Sequence, residues 1–114
     1  MDFGTCFVGQ TRTREVFLLN KSGSKSYWTA LLDKKERHSN TEVFSISPSS
    51  GVLEAHVSHT SASKEMLLVA FTARTNTDYG TVVTVHGMLG EKPQRLFIRG
   101  RGSYDEKFEV LLNA

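Results

Sequence analysis

The sequence is poor in the residues that staple, break or anchor a chain. It has one cysteine, Cys6, two prolines and one tryptophan in 114 residues. A single thiol excludes an internal disulfide framework and any cysteine-based zinc cage. No apolar run approaches the roughly 20 residues that span a bilayer as a helix, so no membrane span is expected. Neither sign of charge dominates. Lys and Arg total 14, Asp and Glu total 12, and the net charge is +2, which gives no warrant for a nucleic-acid partner. There is no internal repeat and no low-complexity tract. Met1-Asp2-Phe3-Gly4 lacks the basic and apolar regions of a secretory leader, so a reduced, cytoplasmic setting is expected. Helix signals are nearly absent as well.

What remains is ordinary globular composition, with 39% hydrophobic and 23% charged residues. The length suits one domain able to bury roughly two-thirds of its unfolded surface. Thr, Ser, Val and Phe dominate the apolar stretches, and these suit pleated, half-buried surfaces. Strands are predicted over 3–8, 11–20, 26–32, 42–47, 52–57, 65–73, 79–86 and 94–100, separated by polar or Gly/Pro-containing turns. In 11–20, Val16 and Leu18 take one face and Phe17 and Leu19 the other, so this strand reads as one covered on both sides. In 65–73, Leu67, Val69 and Phe71 oppose Met66, Leu68 and Ala70, which argues for a central strand. Pro48-Ser49-Ser50-Gly51 reads as a tight turn. Seven or eight strands without intervening helices indicate an antiparallel β-sandwich, with a small barrel as the alternative. A parallel sheet would need long crossovers for which this spacing leaves no room.

Candidate chemistry is sparse. His56 and His59 stand three apart, which in a strand points them to opposite faces, and only Glu54 lies nearby. They read as solvated histidines rather than metal ligands. Cys6 sits in a strand, with no helix start to lower its pKa, so a packed thiol is preferred to a nucleophile. Ser103 lacks the pattern of a nucleophile elbow, and Gly100-Arg101-Gly102 opens no helix that could cradle a phosphate. No catalytic, cofactor-binding or metal residue is assigned, no cofactor is implied, and an enzyme is not expected. Lys34, Lys35 and Arg37 are diluted by Asp33 and Glu36. Arg95, Arg99 and Arg101 alternate along the last strand and project from one face. With Arg12 and Arg14 they would form a basic stripe if the two strands were neighbours. A solvated sheet face is the plain reading, and an acidic peptide surface is the functional one. Asn20-Lys21-Ser22 fits a glycosylation sequon but reads as a turn.

Five segments, in order, resemble one family. These are Asp2-Phe3-Gly4-Thr5-Cys6-Phe7-Val8-Gly9-Gln10, Val16-Phe17-Leu18-Leu19-Asn20-Lys21-Ser22-Gly23, and Phe44-Ser45-Ile46-Ser47-Pro48-Ser49-Ser50-Gly51-Val52-Leu53, then Leu67-Leu68-Val69-Ala70-Phe71-Thr72 and Phe97-Ile98-Arg99-Gly100-Arg101-Gly102. Together they are similar to ASH domains, the Hydin-like relatives of major sperm protein and PapD-like immunoglobulin folds. Ala73 stands where the family often has Pro. The residues by which some major sperm protein relatives read acidic peptides are not recognisable here. The resemblance implies an immunoglobulin-like (PapD/MSP-like) sandwich over 2–103, followed by an extension, 104–114, that reads as an added strand, a short helix or a linker. It also implies a non-catalytic interaction module within a longer ciliary, flagellar (axonemal) or centrosomal protein, of which Hydin and sperm-associated antigen 17 are examples. Expected partners are axonemal or microtubule-associated proteins, or neighbouring domains, with the isolated domain monomeric. The candidate partner surface is Phe17, Leu19, Arg95, Arg99 and Arg101. A reader of acidic or phosphorylated peptides is the alternative.

Overall fold

A computed structural model describes residues 1–20, 24–32, 43–54, 63–87 and 92–110. Eight strands run in the order β1 (Asp2–Phe7), β2 (Thr11–Asn20), β3 (Ser26–Leu32), β4 (Phe44–Ser47), β5 (Ser50–Leu53), β6 (Ser63–Thr72), β7 (Asp78–Gly87) and β8 (Gln94–Ser103), and a 3₁₀ turn, Glu106–Phe108, follows. They form a five-stranded sheet, β1-β8-β7-β3-β5, and a three-stranded sheet, β2-β6-β4. The fold class is the expected all-β sandwich.

Alternation along the strands builds the core. Leu67, Val69 and Phe71 of β6 and Phe44 of β4 face Phe3, Trp28, Ala30, Val83 and Ile98 of the five-stranded sheet, all buried. Phe3, Phe44 and Phe71 form an aromatic cluster with ring centroids 5.0–6.2 Å apart, and the Tyr79 ring meets Phe71 edge-on at 5.8 Å. Aromatic pairs in this range add to the stabilisation from buried area.

The glycines of Gly100-Arg101-Gly102 are packing slots rather than a phosphate cradle. A Cβ on Gly100 would stand 2.5 Å from the Phe71 ring, and one on Gly102 would collide with the Thr75 carbonyl. Gly9, at φ +87°, makes the turn from β1 to β2 in a region that side chains disfavour.

Three details depart from the sequence reading. First, β1 pairs with β8 in parallel, Asp2 against Arg99 and Phe7 against Ser103. The crossover that a parallel pair requires is supplied by everything between the first and last strands. Second, Ser50 and Gly51 belong to β5, Gly51 lying opposite Trp28, whereas a strand over 52–57 was expected; 55–57 fall outside the described residues. Third, β8 runs on to Ser103 because the two glycines let the strand pass close against Phe71 and Thr75.

Beyond β8 the chain turns back on itself. The Asp105 N–H donates to Ser103 Oγ at 3.0 Å, and Asp105 caps the 3₁₀ turn by accepting from the Lys107 N–H. Gln10 then holds extended backbone from both sides. Its Nε2 donates to the Val110 carbonyl at 2.9 Å, and its Oε1 accepts from the Val110 N–H at 2.7 Å.

Candidate functional site

Two sheet faces carry the candidate residues. On the outer face of the three-stranded sheet, β2 presents Thr13, Glu15, Phe17 and Leu19, each placed by its register against β6. Phe17 lies opposite Met66, Glu15 opposite Leu68, and Leu19 opposite Lys64. The inner face of β6 goes to the core, so its other face is left to the outside. Phe17 is 49% exposed, Leu19 54%, Met66 44% and Leu68 38%. These four side chains lie on adjacent strands and form one patch. Lys64 Nζ lies 5.2 Å from the centre of the Phe17 ring, a cation–π contact that leaves Lys64 at the patch margin. Met66 and Leu68 were legible as the second face of β6, but nothing in the sequence showed that face to be uncovered.

On the outer face of the five-stranded sheet, β8 presents Arg95, Phe97, Arg99 and Arg101, all exposed, and Phe97 is 69% exposed. The three arginines do share a face, but they are not equivalent. Arg99 Nε donates to Asp2 Oδ2 at 3.0 Å, and Arg101 Nη1 donates to Asp78 Oδ1 at 3.4 Å. Each of these charges has its own carboxylate, supplied by the strands flanking β8.

Arg12 and Arg14 do not extend this stripe, because β2 lies in the other sheet. Both reach across the open side of the sandwich instead. Arg12 Nη1 donates to the Phe3 carbonyl at 2.9 Å and Arg14 Nη1 to the Asp2 carbonyl at 2.7 Å. The free edge of β1 is thus covered by guanidinium groups. Asp2 anchors the same corner, accepting from the Gly4 N–H at 2.7 Å. That bond, with Arg99 beside it, holds the carboxyl below its usual pKa.

The remaining sequence candidates have structural places. Cys6 is buried, its Sγ 3.6 Å from the Phe3 carbonyl, and burial pushes its pKa up, the reverse of an activated nucleophile. Ser103 Oγ is engaged in the tail turn. Asn20 is buried and its Nδ2 donates to the Ser24 and Glu54 carbonyls at 2.8 and 2.9 Å, so it serves the turn rather than a glycan. Among the described residues no group of three His, Cys, Asp or Glu side chains could hold a metal. No helix in them is long and apolar enough to cross a membrane. His56, His59, Lys34, Lys35 and Arg37 lie outside the described residues.

No family model matches the sequence. Over 108 residues the chain is 47% identical to human "Deleted in lung and esophageal cancer protein 1", an alignment that takes in 95% of this chain and 6% of that protein. The chain therefore spans a small part of that relative's length. Among solved structures, the ASH/PapD-like domain 7 of human CEP192 superposes with a TM-score of 0.73 at 20% identity, covering 93% of this chain and 82% of that one. The CupB2 chaperone of Pseudomonas aeruginosa superposes with a TM-score of 0.61 at 14% identity, covering 88% of this chain and 53% of that one. With two sheets, a parallel pairing of first and last strands and these structural neighbours, the chain has the ASH/PapD-like immunoglobulin fold.

Proposed function

We propose that the chain is a non-catalytic protein-interaction domain of a larger ciliary, flagellar or centrosomal protein, and that its contact surface is the outer face of the three-stranded sheet. The observation that carries this reading is the patch of Phe17, Leu19, Met66 and Leu68, four large apolar side chains exposed together on paired strands. A contiguous exposed apolar patch marks a contact site, and here the four side chains sit together on two paired strands. The 47% identity to a segment of a much longer human protein supports the reading of a module within a larger chain. The likeness to a domain of CEP192 supports a cytoskeletal setting. A non-catalytic role is supported by a buried Cys6 and a Ser103 committed to a turn.

Capture of partners from ciliary extract tests the reading. Partners held by the wild-type domain are lost on the double substitution Phe17→Ser/Leu19→Ser and kept on Arg99→Glu/Arg101→Glu. The opposite pattern moves the contact to the arginine face. A second reading, recognition of an acidic or phosphorylated peptide, draws on Arg95. It has no ion pair among the described residues and lies two positions from the exposed Phe97. That reading requires affinity to fall steeply with salt, and equal affinity at low and high salt removes it.

A further inference from the structure

The four sheet edges of the sandwich are protected unequally. β4 and β5 are edges of four residues each. The outer edge of β1 has its Asp2 and Phe3 carbonyls capped by Arg14 and Arg12. β2 is different. It is ten residues long, contains no Pro or Gly, pairs with β6 without a register shift, and has no strand on its other side among the described residues. Long, regular edges of this kind are templates for another strand.

The ladder fixes which groups are open. The Thr72 N–H donates to the Val43 carbonyl, so the backbone of Thr72, and by alternation of Ala70, Leu68 and Met66, turns toward β4. Their neighbours Phe71, Val69, Leu67 and Glu65 turn toward β2, where they meet Arg12, Arg14, Val16 and Leu18. By the antiparallel rule, the N–H and C=O groups of Thr11, Thr13, Glu15, Phe17 and Leu19 point outward. In the first half of β2, Arg12 and Arg14 lie beside this edge. From Val16 to Leu19 only apolar side chains of β2 accompany it.

We infer that the occupant of this edge is a second copy of the chain, paired β2 to β2, antiparallel, about a two-fold axis at Phe17. The inference rests on the reading of this face as a contact surface, and it departs from the monomer expected from the sequence. In this register Phe17 opposes Phe17 of the second copy in a hydrogen-bonded pair, and Glu15 opposes Leu19. The two three-stranded sheets become one sheet of six strands. Met66, Phe17, Phe17 and Met66 then run in a row across its outer face. Charge selects the register. Glu15 comes to lie two strand spacings, about 10 Å, from Lys64 of the second copy, a gap that these two side chains can bridge across Leu19. Within one copy Glu15 has no ion pair among the described residues, and Lys64 leans over Phe17. Centring the axis on Glu15 instead would set two carboxylates opposite each other, which disfavours that register.

Sedimentation velocity from micromolar to millimolar concentration tests the pairing. The wild-type chain shows a reversible monomer–dimer equilibrium. Glu15→Lys and Lys64→Glu each weaken it, by roughly three- to thirty-fold for two symmetry-related surface ion pairs. The double substitution Glu15→Lys/Lys64→Glu restores it, and Arg99→Glu leaves it unchanged. A chain that stays monomeric throughout, or a dimer indifferent to both single substitutions, overturns the inference. A monomeric chain that still loses its partners on Phe17→Ser/Leu19→Ser would remove the homotypic pairing while leaving the contact face in place.

Discussion

Phe71 rests its ring on the backbone of Gly100, and the two sheets meet there with no room for a methyl group. Gly100→Ala is therefore expected to destabilise the fold by about 1–3 kcal/mol, the usual cost of overpacking a tight core. Chemical denaturation reads it as a lower midpoint with an unchanged slope; a midpoint within error of wild type would mean that the ring shifts freely. Asp2 gives a pH prediction at the same scale. Its carboxyl is more acidic in the folded state, first through the Gly4 N–H and then through Arg99. The stabilisation is present at neutral pH, above the unfolded pKa, and is lost as pH falls below about 4 through the lowered folded value. Asp2→Asn should flatten that acid limb of the stability–pH curve, and an unchanged limb would show the contact to be without effect. The Gly-x-Gly pattern was legible in the sequence, but its reason was not, since Phe71 and Thr75 lie far off along the chain.

At the scale of elements, period-two alternation assigned the faces of β2, β6 and β8 correctly, because one buried face forces hydrophobic residues onto every second position. Alternation says nothing about what covers the other face. Phe17 and Leu19 were expected on the second face of β2, and their exposure became visible only once β2 was seen at the edge of a three-stranded sheet with nothing among the described residues packed outside it. The pairing of β1 with β8 was hidden for a similar reason, since no local signal marks a parallel ladder between chain ends. Gln10 was not singled out either. A lone glutamine carries no pattern, yet its amide holds Val110 as a neighbouring strand would. Gln10→Ala is expected to raise the exchange rate of the Val110 amide by about tenfold or more, taking roughly 1 kcal/mol for each lost bond. Equal exchange in the two proteins would show that the 3₁₀ turn alone fixes this segment.

At the scale of the whole molecule, the net charge of +2 conceals an uneven distribution. Arg12 and Arg14 are spent on the β1 edge, and Arg99 and Arg101 on Asp2 and Asp78. The exposed apolar surface of the three-stranded sheet, Phe17, Leu19, Met66 and Leu68, is the contact surface proposed. Contacts made there should vary little with ionic strength, because apolar burial is not screened as surface charges are. The central claim is that this face, and not the arginine face, is where the domain meets its partners. Capture from ciliary extract at 0.1 and 0.5 M salt, comparing wild type with Phe17→Ser/Leu19→Ser and with Arg95→Glu/Arg99→Glu/Arg101→Glu, tests it most directly. Partners are expected to be retained at both salt concentrations, lost on the first variant and kept on the second. Partners kept on the first variant and lost on the second, or released by salt alone, would contradict it.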